Sequence, residues 1–311
     1  MQATNLKTNH LTQPLGIDAG TLFLSWQCAE GVRQTAYEIE VTAGAETLWT
    51  SGKILSSMMH TETPAVPPKT QGRWCIRLWD ENDQPGAWST ASFETGLAQA
   101  DWQGVWVCPE TEEPDIGCAD AINAFAKPNW EQKQAALEAS GKGQAQPYQP
   151  HRPASYLRKT FTAPAGQCKR LYITAKGLYA AWLNGKRVGD MVLAPGSFTA
   201  DKHLGAQTYD VTALVRDGEN ELLIALGDGW YRSTSGVDGD RDLFGKELAV
   251  LFQLEVDGKA VCVSDDAMEA TQCGPIRQND LQQGEVYDAR LEGKLTGWHG
   301  VRTAPNTLPL I

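Results

Sequence analysis

The chain has 311 residues, with 27 Lys and Arg against 38 Asp and Glu and a net charge of −11. That balance argues against nucleic acid and anionic membrane surfaces, both of which recruit basic patches. No apolar run approaches the roughly 20 residues a membrane-spanning helix needs.

Met1 leads into polar residues without the basic segment and apolar run of a secretory leader, so the expected location is the cytoplasm. The seven cysteines (28, 75, 108, 118, 168, 262 and 273) are scattered and form no Cys-x-x-Cys pair. They read as free thiols in a reducing compartment, and not as a zinc site. Residues 1–20 are polar and read as a loose segment, tethered by Leu15 and Ile17.

From Leu22 the pattern turns to strands: Leu22–Trp26, Ala36–Val41, Leu48–Trp49 and Arg73–Trp79. In the last of these Trp74, Ile76 and Leu78 fall on one face, the period of a half-buried strand. Short strands separated by turn signals predict a β-sandwich that closes near Gly96–Leu97. Trp26 and Trp74 alternate in step with apolar neighbours and are expected in its core.

Trp102–Val107 is expected to open a second domain as a strand. The strand pattern then fails over about 110–150. There Asn129 is placed as an N-cap with Gln132 three residues on, and Gln132–Ala139 are good helix formers. Ser140–Gly143 ends this short helix. Strands resume from Tyr156 to about Val263. Asn184-Gly185, between Tyr179–Leu183 and Lys186–Val188, is a two-residue hairpin signal. Asp217-Gly218 precedes Glu221–Leu226 in a similar way, and Asp210 with Thr212 is expected to close a strand end. Glu247–Val256 is mostly apolar, as a strand with little exposure should be.

Leu157-Arg-Lys159, Leu183–Asp190, Leu193-Ala-Pro-Gly196, Gln207–Thr212 and Gly227-Asp-Gly-Trp-Tyr-Arg232 stand in one order. In that order they resemble the N-terminal region of bacterial α-L-rhamnosidases of glycoside hydrolase family 78. Upstream, Leu78–Asn82, Trp88-Ser89 and Phe93–Leu97 resemble the fibronectin-type domain that opens these enzymes. Downstream, Gly274–Arg277 and Gly284–Glu292 resemble the end of the accessory region. The stretch near 110–150 does not match well. The resemblance implies an all-β chain of two consecutive β-sandwiches, with a short helix in an insertion. The first is fibronectin- or immunoglobulin-like over 21–97. The second is jelly-roll-like over 98–292, with its insertion at about 110–150. Residues 293–311 read as a connector toward a catalytic helical barrel that this sequence lacks. The family's catalytic acids lie in that barrel, so none is assigned here.

Gly227–Gly236 offers the best binding platform. Trp230 presents a flat face for the C–H groups of a pyranose, with Tyr231 beside it. Asp228 and Arg232 would fork hydrogen bonds to neighbouring hydroxyls. The competing reading makes Trp230 and Tyr231 packing elements between domains, with Asp228 capping a turn. Asp238, Asp240 and Asp242 alternate like the first half of a calcium loop, but Ala249 stands where the twelfth-position Glu belongs. A solvated acidic loop fits better, so no cofactor is required and calcium is only an option.

Two function classes compete. One is a non-catalytic accessory part of an α-L-rhamnosidase, with the catalytic barrel and a terminal L-rhamnose as partners. The other is a stand-alone carbohydrate-binding β-sandwich protein without hydrolytic activity.

Overall fold

The computed structural model describes residues 1–109, 120–141, 152–235 and 241–310, with backbone alone over 120–127. Its contacts divide the chain into two units, Met1–Trp102 and Gln103–Ile311.

The first unit carries β1 (Gln2–Thr8), β2 (Phe23–Ala29), β3 (Ala36–Ala43), β4 (Glu46–Thr50), β5 (Ile54–Leu55), β6 (His60–Glu62), β7 (Gln71–Trp79) and β8 (Ser89–Glu94). One sheet runs β1-β2-β6. The other runs β4-β3-β7-β8, with β5 also on β3. Leu22, Leu24 and Trp26 meet Ile39, Val41, Trp74, Ile76 and Leu78 in a single core, as period-two alternation requires. Each buried indole finds a partner: Trp26 Nε1 donates to Gln34 Oε1 at 2.9 Å, and Trp74 Nε1 to Thr8 Oγ1 at 3.0 Å. Both rings are thereby removed from any sugar surface.

The first residues are not loose. β1 pairs antiparallel with β2, and Ala3 and Thr8 are buried. Its side chains carry little apolar signal, so the strand is fixed by ladder bonds and by small residues that fit against the core.

The second unit carries β9 (Trp106–Cys108), α1 (Asp120–Ala139), β10 (Ser155–Ala163), β11 (Lys169–Lys176), β12 (Leu178–Leu183), β13 (Lys186–Arg187), β14 (Gln207–Asp210), β15 (Gly218–Gly227), α2 (Gly229–Arg232), β16 (Ala249–Val256), β17 (Lys259–Val263), β18 (Glu269–Thr271), β19 (Ile276–Asp280), β20 (Gly284–Tyr287), β21 (His299–Gly300) and β22 (Arg302–Ala304). One sheet runs β13-β12-β15-β10-β18-β21. The second runs β14-β11-β16-β9-β22, with β17 also on β16. Leu157, Ile224 and Leu226 from the first sheet share a core with Ile173, Phe252 and Leu254 from the second. The unit is therefore a sandwich, and every residue of β16 is buried.

Asn184 (φ 52) and Gly185 (φ 77) form the hairpin tip, the left-handed pair such a turn needs. The Asn184 amide also donates to Leu214 O and Asn220 Oδ1. Thr212 N donates to Asp210 Oδ1, closing the strand end.

Two further expectations need correction. The helix begins at Asp120, with Pro128 inside it, so Asn129 lies within the helix and does not cap it. An interior proline removes a backbone donor and crowds the preceding turn, which is why the sequence points to a start after it. The helix nonetheless runs through Pro128 to Ala139. Gly141 ends it in the left-handed region at φ 63. The segment expected as a connector, 293–311, also pairs back into the second unit over its described residues. β21 joins β18, β22 joins β9, and Leu204 N donates to Pro309 O at 3.1 Å. Strands of two or three residues are too short to show alternation.

Candidate functional site

β15 runs between β12 and β10 and delivers the chain to α2. The turn into α2 depends on Gly229, whose φ is 55 and where a Cβ would stand 2.5 Å from Leu178 Cγ. This tight turn sends Asp228 inward.

Asp228 is 1% exposed and Arg232 0%. Arg232 Nε donates to Asp228 Oδ1 at 2.6 Å, and its Nη1 donates to Lys246 O at 3.0 Å. Arg241 Nη2 stands 3.6 Å from Asp228 Oδ2, and its Nε lies 3.9 Å from Asp280 Oδ2. Asp280 in turn accepts from Thr234 N at 2.7 Å and Thr234 Oγ1 at 2.8 Å. Burial pushes the Asp228 carboxyl up, against the pull of Arg232 and Arg241. Burial also acts to raise Asp280, but bonds from Thr234, Gln283 and Gln282 outweigh it and leave that carboxyl below its ordinary value.

The four loop residues picked from sequence thus separate. Trp230 is at the surface, 37% exposed. Tyr231 packs against the sandwich core, 6.5 Å from the Phe244 ring, and burial raises its phenol. Asp228 and Arg232 are spent on each other and do not reach solvent, so the expected fork of sugar hydrogen bonds is not presented. Sequence reading missed Arg241 and Asp280, because nothing local marks residues that meet only in the fold.

Asp238 and Asp240 lie outside the described residues. The Asp242 carboxylate faces Arg152 Nη1 at 3.8 Å, and its backbone is left-handed at φ 61. Among the described residues no cluster of three His, Cys, Asp or Glu could hold a metal.

Beside α2 a cleft of about 410 Å³ opens on the outer face of the first sheet. Ala180 and Ala225 line it, with Val192 and Leu193 from one neighbouring loop, Leu281 from another and Glu285 from β20. At the other end of β15 a polar groove of about 470 Å³ is lined by Thr160, Thr162, Asn184, Glu219 and Glu221.

Two family models match the chain: the Rha78A-like N-terminal immunoglobulin domain over residues 3–99, and the α-L-rhamnosidase N-terminal domain over residues 167–306. An α-L-rhamnosidase of Formosa agariphila is 32% identical, covering 92% of this chain and 31% of the relative. One of Streptomyces avermitilis is 27% identical, covering 99% and 45%. Among solved structures, the α-L-rhamnosidase from Dictyoglumus thermophilum superposes with a TM-score of 0.79 at 27% identity, over 100% of this chain and 35% of that one. The Streptomyces avermitilis α-L-rhamnosidase complexed with L-rhamnose gives 0.78 at 25% identity, over 99% and 45%. The chain spans less than half the length of each of these relatives. With an immunoglobulin-like domain followed by the rhamnosidase N-terminal domain, the chain matches the N-terminal region of α-L-rhamnosidases.

Proposed function

We propose that the chain serves as the N-terminal, non-catalytic part of an α-L-rhamnosidase, a glycoside hydrolase that releases terminal α-L-rhamnose from glycosides. In this role it packs against a separate catalytic domain and offers Trp230 to the terminal sugar. The observation that carries the reading is the match itself: nearly the whole chain superposes on α-L-rhamnosidases while occupying 35–45% of each. The local chemistry agrees with it. Glycoside hydrolysis usually needs two carboxylates facing across a sugar. Asp228, two residues before Trp230, and Asp280 are instead buried and engaged by Arg232, Arg241 and Thr234. What remains at the surface is a flat ring on a braced turn, suited to weak stacking.

The purified chain is expected not to turn over an aryl α-L-rhamnoside. Turnover that survives repurification and is lost on mutating an acid of this chain overturns the reading. Calorimetry with L-rhamnose should give a dissociation constant on the order of 0.1–1 mM, equivalent to roughly 4–5.5 kcal/mol. Trp230→Ala should abolish that binding without unfolding the chain. Unchanged binding in Trp230→Ala moves the sugar site elsewhere.

A further inference from the structure

The loop between β13 and β14 holds apolar side chains out in water. Val192 is 76% exposed, Leu193 49% and Met191 39%. The loop is nonetheless tied down: Arg187 Nη2 donates to Met191 O at 3.2 Å, and Tyr179 N to Ala194 O at 2.8 Å. Leu193 has φ 55, a left-handed conformation that a branched aliphatic residue adopts only at a cost. Across the cleft stand Leu281, 41% exposed, and Glu285 of β20, a strand whose four residues are all exposed. Adjacent strand residues point to opposite faces, so β20 itself is open on both, while its partner β19 is largely buried. A braced apolar loop facing Leu281 over an apolar floor stabilises little within this chain alone.

From this geometry, and resting on the accessory role argued above, we propose that the cleft between Leu193 and Leu281 docks the part of an α-L-rhamnosidase that lies outside the region matched by this chain. The occupant is a protein surface with an apolar centre, and not a sugar. A sugar needs convergent donors and acceptors, and those nearest the floor face inward. Asp228 and Asp280 are buried, and the Tyr179 hydroxyl bonds to Gln207 and Tyr209. Charged Arg187 and Glu285 also line the cleft, and a protein interface likewise combines an apolar centre with polar groups around it. The choice among proteins follows from the relatives, where this fold is a minor share of a longer chain.

The test mixes the full 311-residue chain with the unmatched part of the Dictyoglumus thermophilum enzyme, its folding checked by circular dichroism. Association is followed by sedimentation velocity, and hydrogen exchange is read on peptides spanning 189–196 and 281–287. Association should protect both peptides. Leu193→Glu and Leu281→Glu should each weaken it at least tenfold, while Glu219→Lys, at the far end of β15, should leave it unchanged. Both leucines are already well exposed, so the variants should melt with the parent. Association that survives both substitutions overturns the cleft and leaves the accessory role standing. No association by the parent chain counts against the accessory role itself, and the docking surface falls with it.

Discussion

Arg232 Nε meets Asp228 Oδ1 at 2.6 Å across a single helical turn, and neither side chain is more than 2% exposed. The pair lies directly under the turn that carries Trp230. A buried pair contributes little net stability, because desolvation offsets the attraction, yet stranding one partner is costly.

Asp228→Leu or Arg232→Met alone should therefore cost about 3–5 kcal/mol. The apolar double variant Asp228→Leu/Arg232→Met should recover much of that loss. Urea unfolding of the four proteins gives the coupling directly. Additive single costs would show that the two side chains do not act as a unit.

The bond from Trp74 to Thr8 makes a second prediction. Thr8→Val keeps the shape of the side chain and removes the acceptor for an indole N–H that is fully buried. An unsatisfied buried donor costs about 1–3 kcal/mol. The loss should appear as a lower urea midpoint with an unchanged slope. A neutral Thr8→Val would mean that β1 is not anchored through this bond.

That bond also marks where sequence reading stops. Alternation in Arg73–Trp79 is enough to send Trp74, Ile76 and Leu78 inward, and Asn184-Gly185 specifies its own turn. β1 carries no such pattern, since Gln-Ala-Thr-Asn-Leu-Lys-Thr is mostly polar and its partners lie far along the chain. β21 and β22 are too short for any period. The Trp230 turn is legible from its glycines. Whether Asp228 faces water or the interior depends on Arg241 and Asp280, which only the fold brings beside it.

Asp288 gives a pH-dependent prediction. Arg290 donates to both its carboxylate oxygens, through Nε at 2.8 Å and Nη2 at 2.6 Å. This side-chain bonding, helped by the Arg290 backbone N–H, lowers the Asp288 carboxyl to about 2. A folded-state value below the unfolded one favours the fold above the ordinary carboxylate range, and that contribution is lost as pH falls toward 2. Carboxyl NMR should place the Asp288 midpoint near 2 in the parent and close to the ordinary aspartate value in Arg290→Met. An unchanged midpoint in the variant would assign the shift to another group.

Cys262 makes the opposite, alkaline prediction. It lies in β17 at 5% exposure, facing the sandwich core. Burial pushes its thiol up to about 12, and the nearby positive charge of Lys159 only partly opposes this. The thiolate is the reactive form, so at pH 8 Cys262 should resist a disulfide reagent in the folded chain and react fully in denaturant. The half-exposed Cys75, Cys168 and Cys273 should label first, as peptide mapping would read. The linkage has a definite sign. A folded value above the unfolded one means that the folded chain holds its proton longer. Stability is then complete below about 9, the ordinary thiol value, and declines as pH rises toward 12. Cys262→Val keeps an apolar side chain in the core and removes the titrating group. It should flatten the alkaline decline between those two values. A decline of equal steepness in Cys262→Val would assign it to the buried phenol of Tyr179, which burial also holds well above its ordinary value.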